Sequence, residues 1–164
     1  MKRKKAAVLI SALILPVAIF LFLKIFGRNE FQVAPLHQQG TLPAPANCPY
    51  LYETPYRVAD SVIAELRLGK TDSLFVLYFD PALATPLKRV SVEYGDAPVK
   101  LVPPSSLPPD VDRRVLQECI LLLHPPASVV MLDHLKRIRG YYDGRDRDEV
   151  DRLLVEIDII LKHY

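Results

Sequence analysis

The sequence predicts an α/β domain in the order strand, helix, strand, helix, strand, strand, helix, preceded by a single N-terminal transmembrane helix. Three observations predict it. Ser73 to Phe79 is a continuous apolar run with β-branched and aromatic residues, as a buried central strand should be. Val150, Leu153, Leu154, Ile157 and Leu161 form one apolar stripe at helical spacing near the C-terminus. Ala6 to Leu23 is almost wholly apolar and meets the roughly 20 residues that a bilayer-spanning helix needs.

The apolar stretch comes first in the chain. Ser11 is its one mild exception, and Pro16 is tolerated inside a membrane helix. Lys2-Arg3-Lys4-Lys5 before it predict a cytoplasmic N-terminus, against which Lys24 and Arg28 on the far side count a little. A cleaved signal peptide is the competing reading, but no Ala-x-Ala site and no lipidation cysteine follows. The expected localisation is the inner (cytoplasmic) membrane, single-pass, with the bilayer as a partner and a periplasmic C-terminal domain. The predicted division is 1–27, basic tip and anchor; 28–57, a tether rich in Pro, Gln and Ala, whose end, with Cys48-Pro49-Tyr50 and Pro55-Tyr56, is expected to pack onto the domain; and 58–164, the domain.

Within the domain, Asp60 is expected to cap a short helix to Leu68, with Val62, Ile63 and Leu66 on one face and Gly69 ending it. After the strand Ser73–Phe79, Thr85-Pro86 reads as a cap followed by Pro at the first helical position, with Leu87, Val90 and Tyr94 at helical spacing. Val99 to Val102 is a short second strand, and Pro103 to Pro109 a loop. Asp110 is expected to cap a helix carrying Val111, Val115, Leu116 and Cys119. Ile120 to Leu123 either extends that helix or forms a strand, and His124-Pro125-Pro126 stops it. Ser128 to Leu132 and Arg137 to Tyr142 are strands around the turn Asp133 to Lys136. Asp146 with Glu149 reads as a capping box for the last helix. The early strands joined by helices are expected to lie parallel with right-handed crossovers, and the last two strands to form a hairpin. That is the thioredoxin order.

Composition sets the outer limits. The chain has 164 residues, enough for one domain with a real core, and a formal net charge of +2. Its only dense basic cluster is residues 2–5, which argues against a nucleic-acid surface. No nucleophile triad, Gly-rich phosphate loop or paired metal-ligand motif is present.

Taken together, the anchor and tether, the strand Leu74 to Phe79 leading into a Pro-containing helix start, and the block Val129-Val130-Met131-Leu132-Asp133 followed by Arg137-Ile138-Arg139-Gly140-Tyr141-Tyr142-Asp143-Gly144 resemble the SCO/SenC family of membrane-anchored thioredoxin-fold proteins, from about Phe31 onward. The resemblance implies a thioredoxin-like fold and a place near respiratory cytochrome oxidase maturation. Active members carry Cys-x-x-x-Cys-Pro after the first strand and a distal His before the hairpin. If Pro86 matches the motif's Pro, the cysteine positions fall on Pro81 and Thr85, which can neither bind copper as thiolates nor exchange a disulfide. His124 lies within about a residue of the distal position. The implied protein is a redox-inactive binding or assembly protein, not an enzyme, with an oxidase assembly component as its partner.

Other readings stand beside it. Cys48 and Cys119 form either a structural disulfide between tether and domain or two unrelated cysteines, Cys119 being then a buried apolar residue. Cys48, Cys119 and His124 make up the alternative ligand set for copper delivery or thiol–disulfide chemistry, thiolate and imidazole suiting Cu(I); otherwise no cofactor is expected. A structural subunit of an envelope complex is a third reading. Pro126 is a candidate cis-proline, or simply part of a Pro-Pro strand start. Arg137, Arg139, Tyr141 and Tyr142 form either a docking edge or a solvated strand face. His37, His134 and His163 read most simply as surface residues.

Overall fold

The computed structural model describes residues 14–22, 24, 32–40, 45, 48, 52–68 and 73–162. The chain divides into two units, Met1–Gln32 and Val33–Tyr164.

In the first unit the helical residues described are 14–22 and 24, with Ile14, Leu15, Val17, Phe20 and Phe22 all more than half exposed. The expected transmembrane helix is corrected here: among the described residues no helix is long and apolar enough to cross a membrane. At about 1.5 Å per residue the run 14–22 rises roughly 14 Å, under half of the ~30 Å hydrocarbon layer. The remainder of the expected span, 6–13 and 23, lies outside the described residues. The single-pass inner-membrane placement rested on that span and is corrected with it.

The second unit is α/β with a four-stranded mixed sheet. Its strands are β1 (Leu74–Tyr78), β2 (Val99–Val102), β3 (Val129–Leu132) and β4 (Ile138–Tyr142), in the sheet order β2-β1-β3-β4. Its helices are α1 (Asp60–Glu65), α2 (Ala84–Glu93) and α3 (Arg147–Leu161), with a π-helix at Val115–Ile120. β1 and β2 pair parallel, but β3 runs antiparallel to β1, and β4 antiparallel to β3. The early strands β1 and β2 thus lie parallel and β3 and β4 form a hairpin, both as expected, while the segment after the π-helix brings β3 back antiparallel to β1. A mixed-sheet α/β domain is what is shown; the thioredoxin-like fold behind a membrane helix is not.

β1 is apolar throughout because both of its faces are covered, and Leu74 to Leu77 are completely buried. On one side Leu74, Val76 and Met131 meet Leu87 and Val90 of α2 and Leu153 and Ile157 of α3. On the other, Phe75, Leu77, Val130 and Leu132 meet Ile63 of α1, Leu116 and Ile120 of the π-helix, and Val58. A buried side chain of this kind stabilises by about 1.5–3 kcal/mol.

Three local readings shift. α2 starts earlier than Thr85: Asp80 accepts from the Ala82 N–H at 2.9 Å and caps a 3₁₀ turn, Pro81–Leu83, that runs straight into α2. Pro86 falls in the first turn of α2, where its missing N–H costs nothing. Asp112, not Asp110, caps the next segment, its carboxylate accepting from Arg114 N and Val115 N. Of the capping box at α3, only the Asp146 half forms, accepting from Asp148 N at 2.9 Å, because Glu149 is engaged by Arg152. Gly69, expected to end α1, lies outside the described residues.

β4 carries an irregularity. Met131 pairs with Gly140 and Leu132 with Ile138, so Arg139 is the extra residue of a bulge. Gly140 is required there: a Cβ would sit 2.3 Å from the Tyr142 hydroxyl.

Candidate functional site

The C-terminal end of β1 opens into a cleft of about 360 Å³ lined by Phe79, Asp80, Gln117, Glu118, Leu123, His124, Pro125, Ala127 and Ser128. The fold assembles it from three places. β1 delivers Phe79 and Asp80 where the strand ends. The π-helix supplies Gln117 and Glu118, and the segment leading into β3 supplies the rest. That segment contains a cis Pro125–Pro126 bond, with Pro126 itself exposed. Ser128 is fixed at both ends: its N–H donates to Tyr142 O at 2.9 Å, and its hydroxyl accepts from Gly144 N at 2.9 Å.

The polar groups of the cleft sit on an apolar wall made by Phe79, Leu123, Pro125 and Ala127. Asp80 is bound to Arg145 at 2.8 Å, and that guanidinium, with the Ala82 N–H, lowers the carboxyl pKa below its ordinary value. Arg145 also lines a second depression with Pro86, Arg89, Gly144, Asp146, Arg147 and Val150. There Arg89 is paired with Asp151, and Asp146 already occupies the helix N-terminus.

The residues singled out in the sequence are scattered by the fold. Pro81 begins the 3₁₀ turn and Thr85 lies in α2, both exposed, while Pro86 lines the second depression. His124 is exposed on the cleft. Cys48 and Cys119 are joined in a disulfide with Cα atoms 5.5 Å apart, and Cys119 is buried on the π-helix. Bonded to each other, the two sulfurs are not thiolates and cannot serve with His124 as a soft copper site. Among the described residues no group of three or more His, Cys, Asp or Glu side chains could hold a metal ion.

The disulfide belongs to a larger fastening, in line with the expected packing of the tether's end near Pro55-Tyr56 onto the domain, though the sequence did not reveal its hydrogen bonds. From Val33 the described part of the expected tether is laid on the domain. Leu36 N donates to Ile138 O at 2.8 Å, Tyr56 N to His37 O at 2.9 Å and Val58 N to Lys136 O at 2.9 Å. The end of the π-helix and the residue after it present three successive carbonyls, each taken by a tyrosine hydroxyl. Tyr52 donates to Cys119 O at 2.6 Å, Tyr56 to Ile120 O at 2.6 Å and Tyr141 to Leu121 O at 2.9 Å. These are the carbonyls that a helix end leaves without intrahelical partners. His37, expected on the surface, lies half-buried with Nε2 3.1 Å from the Tyr141 hydroxyl, and burial lowers its pKa. The only sequence signal for this arrangement is the placing of Tyr52 and Tyr56 just after Cys48.

The proposed docking edge on β4 is turned inward. Tyr142 is buried and donates to Glu156 at 2.6 Å, burial and that carboxylate raising its pKa. Asp133, completely buried, accepts from Arg137 N at 2.9 Å, Nε at 2.8 Å and Nη2 at 2.7 Å, and from Arg139 Nη1 at 3.3 Å. Arg139 also holds Val33 O. Lys136, nearly buried, has its ammonium 4.8 Å from the centre of the Phe75 ring. Spacing alone carried a hint of the cluster, since Asp133 precedes Arg137 by four residues.

The class these features define is a mixed-sheet α/β domain with a cleft at the end of its central strand and a disulfide-fastened strap. No family model, curated protein or solved structure matches the chain.

Proposed function

We propose that the domain is a binding or assembly module without a redox reaction of its own, and that the cleft at the end of β1 receives a segment of a protein partner. The observation that carries the reading is the lining of that cleft. It joins an apolar wall of Phe79, Leu123, Pro125 and Ala127 to a rim of Asp80, Glu118, Gln117 and Ser128, and holds no thiol. Such a lining suits an apolar side chain flanked by a basic or amide group, and a volume near 360 Å³ is at the small end of ligand sites. The SCO/SenC resemblance supplies the narrower form of the proposal, a part in respiratory oxidase maturation.

A photo-crosslinking amino acid placed at Ala127 or Glu118 tests the reading in cells, with Val155, exposed on α3, as the control. The expected result is one discrete crosslinked species from the first two positions and none from Val155. The same products from all three positions, or none from the cleft, overturn it. For the narrower form, deletion of the gene should lower oxidase activity; unchanged activity refutes that part alone.

A further inference from the structure

The π-helix has two sides with different duties. Its Gln117 and Glu118 form a wall of the cleft. Cys119, the very next residue, is bonded to Cys48, and the carbonyls of Cys119 and Ile120 are held by Tyr52 and Tyr56. The strap thus grips the same short element whose other side shapes the cleft.

That element closes in the wider π register. π-Helices are rare and short, and close i→i+5 rather than i→i+4 bonds. Here Leu121 N reaches Leu116 O at 2.8 Å, five residues back, and Leu123 N reaches Gln117 O at 2.8 Å. Leu122 between them has a positive φ of 53°. As at any helix end, the last carbonyls need outside donors, here the tyrosine hydroxyls, since a buried carbonyl without a donor is costly. Moving to an α register shifts the bonding by one residue, about 100° of helix rotation, and carries Gln117 and Glu118 with it.

We propose that the Cys48–Cys119 disulfide is a redox latch on the cleft: closed, it holds the strap tyrosines on the π-helix and fixes the Gln117–Glu118 wall; reduced, it frees both. The reductant is a dithiol. One of its thiolates attacks the sulfur of Cys48, the less buried partner. A mixed disulfide forms, the Cys48–Cys119 bond breaks, and Cys119 leaves as a thiolate and takes a proton. The second thiol of the reductant then closes on the first, releasing Cys48 as a thiol. Two electrons and two protons pass to the protein, and the dithiol becomes a disulfide. The latch rests on the cleft reading only for its consequence, which is control of partner access.

Hydrogen exchange of the full chain, with and without dithiothreitol and with no partner present, tests it. The expected result is exchange at least tenfold faster in residues 33–38, 52–58 and 115–128, with β1 and β3 unchanged. Faster exchange in the strap but not in 115–128, or no change in either, overturns the latch. If reduction instead speeds exchange throughout the domain, the oxidised Tyr52→Phe/Tyr56→Phe variant decides. It keeps the rings and the disulfide but removes the two hydroxyl donors. Faster exchange at 115–128 supports the coupling, and an unchanged profile refutes it. Because no partner is used, failure here leaves the crosslinking result standing, and failed crosslinking leaves this one standing.

Discussion

Asp133→Asn removes one charge from the most buried ionic group described in the chain, without changing its volume. The Asp133 carboxylate has no exposure to solvent. Its Oδ1 accepts from the Arg137 backbone N–H, and its Oδ2 receives Arg137 Nε, Arg137 Nη2 and Arg139 Nη1. Asparagine can keep the first bond with its carbonyl oxygen. Its amide then points two N–H donors at two guanidiniums. Arg139, with a side chain only 12% exposed, is left as a positive charge with little water to compensate it. Breaking a buried pair by removing one partner costs about 3–5 kcal/mol. With a urea m-value of roughly 2 kcal/mol per molar, the midpoint should fall by about 2 M. Urea unfolding followed by far-UV circular dichroism gives both quantities. A loss below about 1 kcal/mol at unchanged m would refute the view that this cluster ties the hairpin to the strap.

Other perturbations test separate parts of the fold. Replacing both cysteines by serine should cost about 4 kcal/mol of loop-closure entropy for the separation of 71 residues, read from the same urea curves; a loss under 1 kcal/mol contradicts the crosslink's role. Gly140→Ala puts a Cβ against a Tyr142 ring that is buried and tied to Glu156, so it should cost about 2 kcal/mol and lower Tm by roughly 8 °C in calorimetry. Burial lowers the pKa of His37, so its neutral form is the one the fold favours. Stability from this group is fully present above its ordinary value of 6.5 and is lost as pH falls from there through the lowered folded value. His37→Asn should flatten that decline in a Tm series from pH 7.5 to 5.5, and an unaltered slope contradicts the assignment.

Some of this was legible in the sequence because it rests on local patterns. The unbroken apolar run of β1 announced a strand covered on both faces, and the stripe Val150, Leu153, Leu154, Ile157 is buried as a helix face should be. The turn Asp133 to Lys136 closes with Asp133 N to Arg137 O at 3.0 Å, between the two strands expected around it. The π-helix escaped because it spans only six residues, too few for its period to differ visibly from an α-helix. The bulge at Arg139 escaped for a related reason. One extra residue inverts the face parity of β4, so an alternation read through it assigns the arginines to solvent. The helix expected over the N-terminal apolar run is corrected only as far as the described residues reach, among which no helix is long and apolar enough to cross a membrane. For the cleft, β1's end was anticipated, but Gln117, Glu118 and Ser128 come together only through tertiary contacts. The tyrosine hydroxyls left no pattern, because their acceptors are main-chain carbonyls that carry no residue identity.

The strap also determines how the sheet can meet other molecules. At β4 the carbonyl of Ile138 is taken by Leu36 N and that of Tyr141 by Arg152 Nη2. At the opposite margin β2 is four residues long, set between Pro98 and Pro103, with Lys100 exposed at its middle. The occupied carbonyls at β4 and the short, proline-bounded β2 both shorten the main-chain edge open to another strand. The borders of the sheet thus favour recognition of this domain through its side chains over the addition of a further strand.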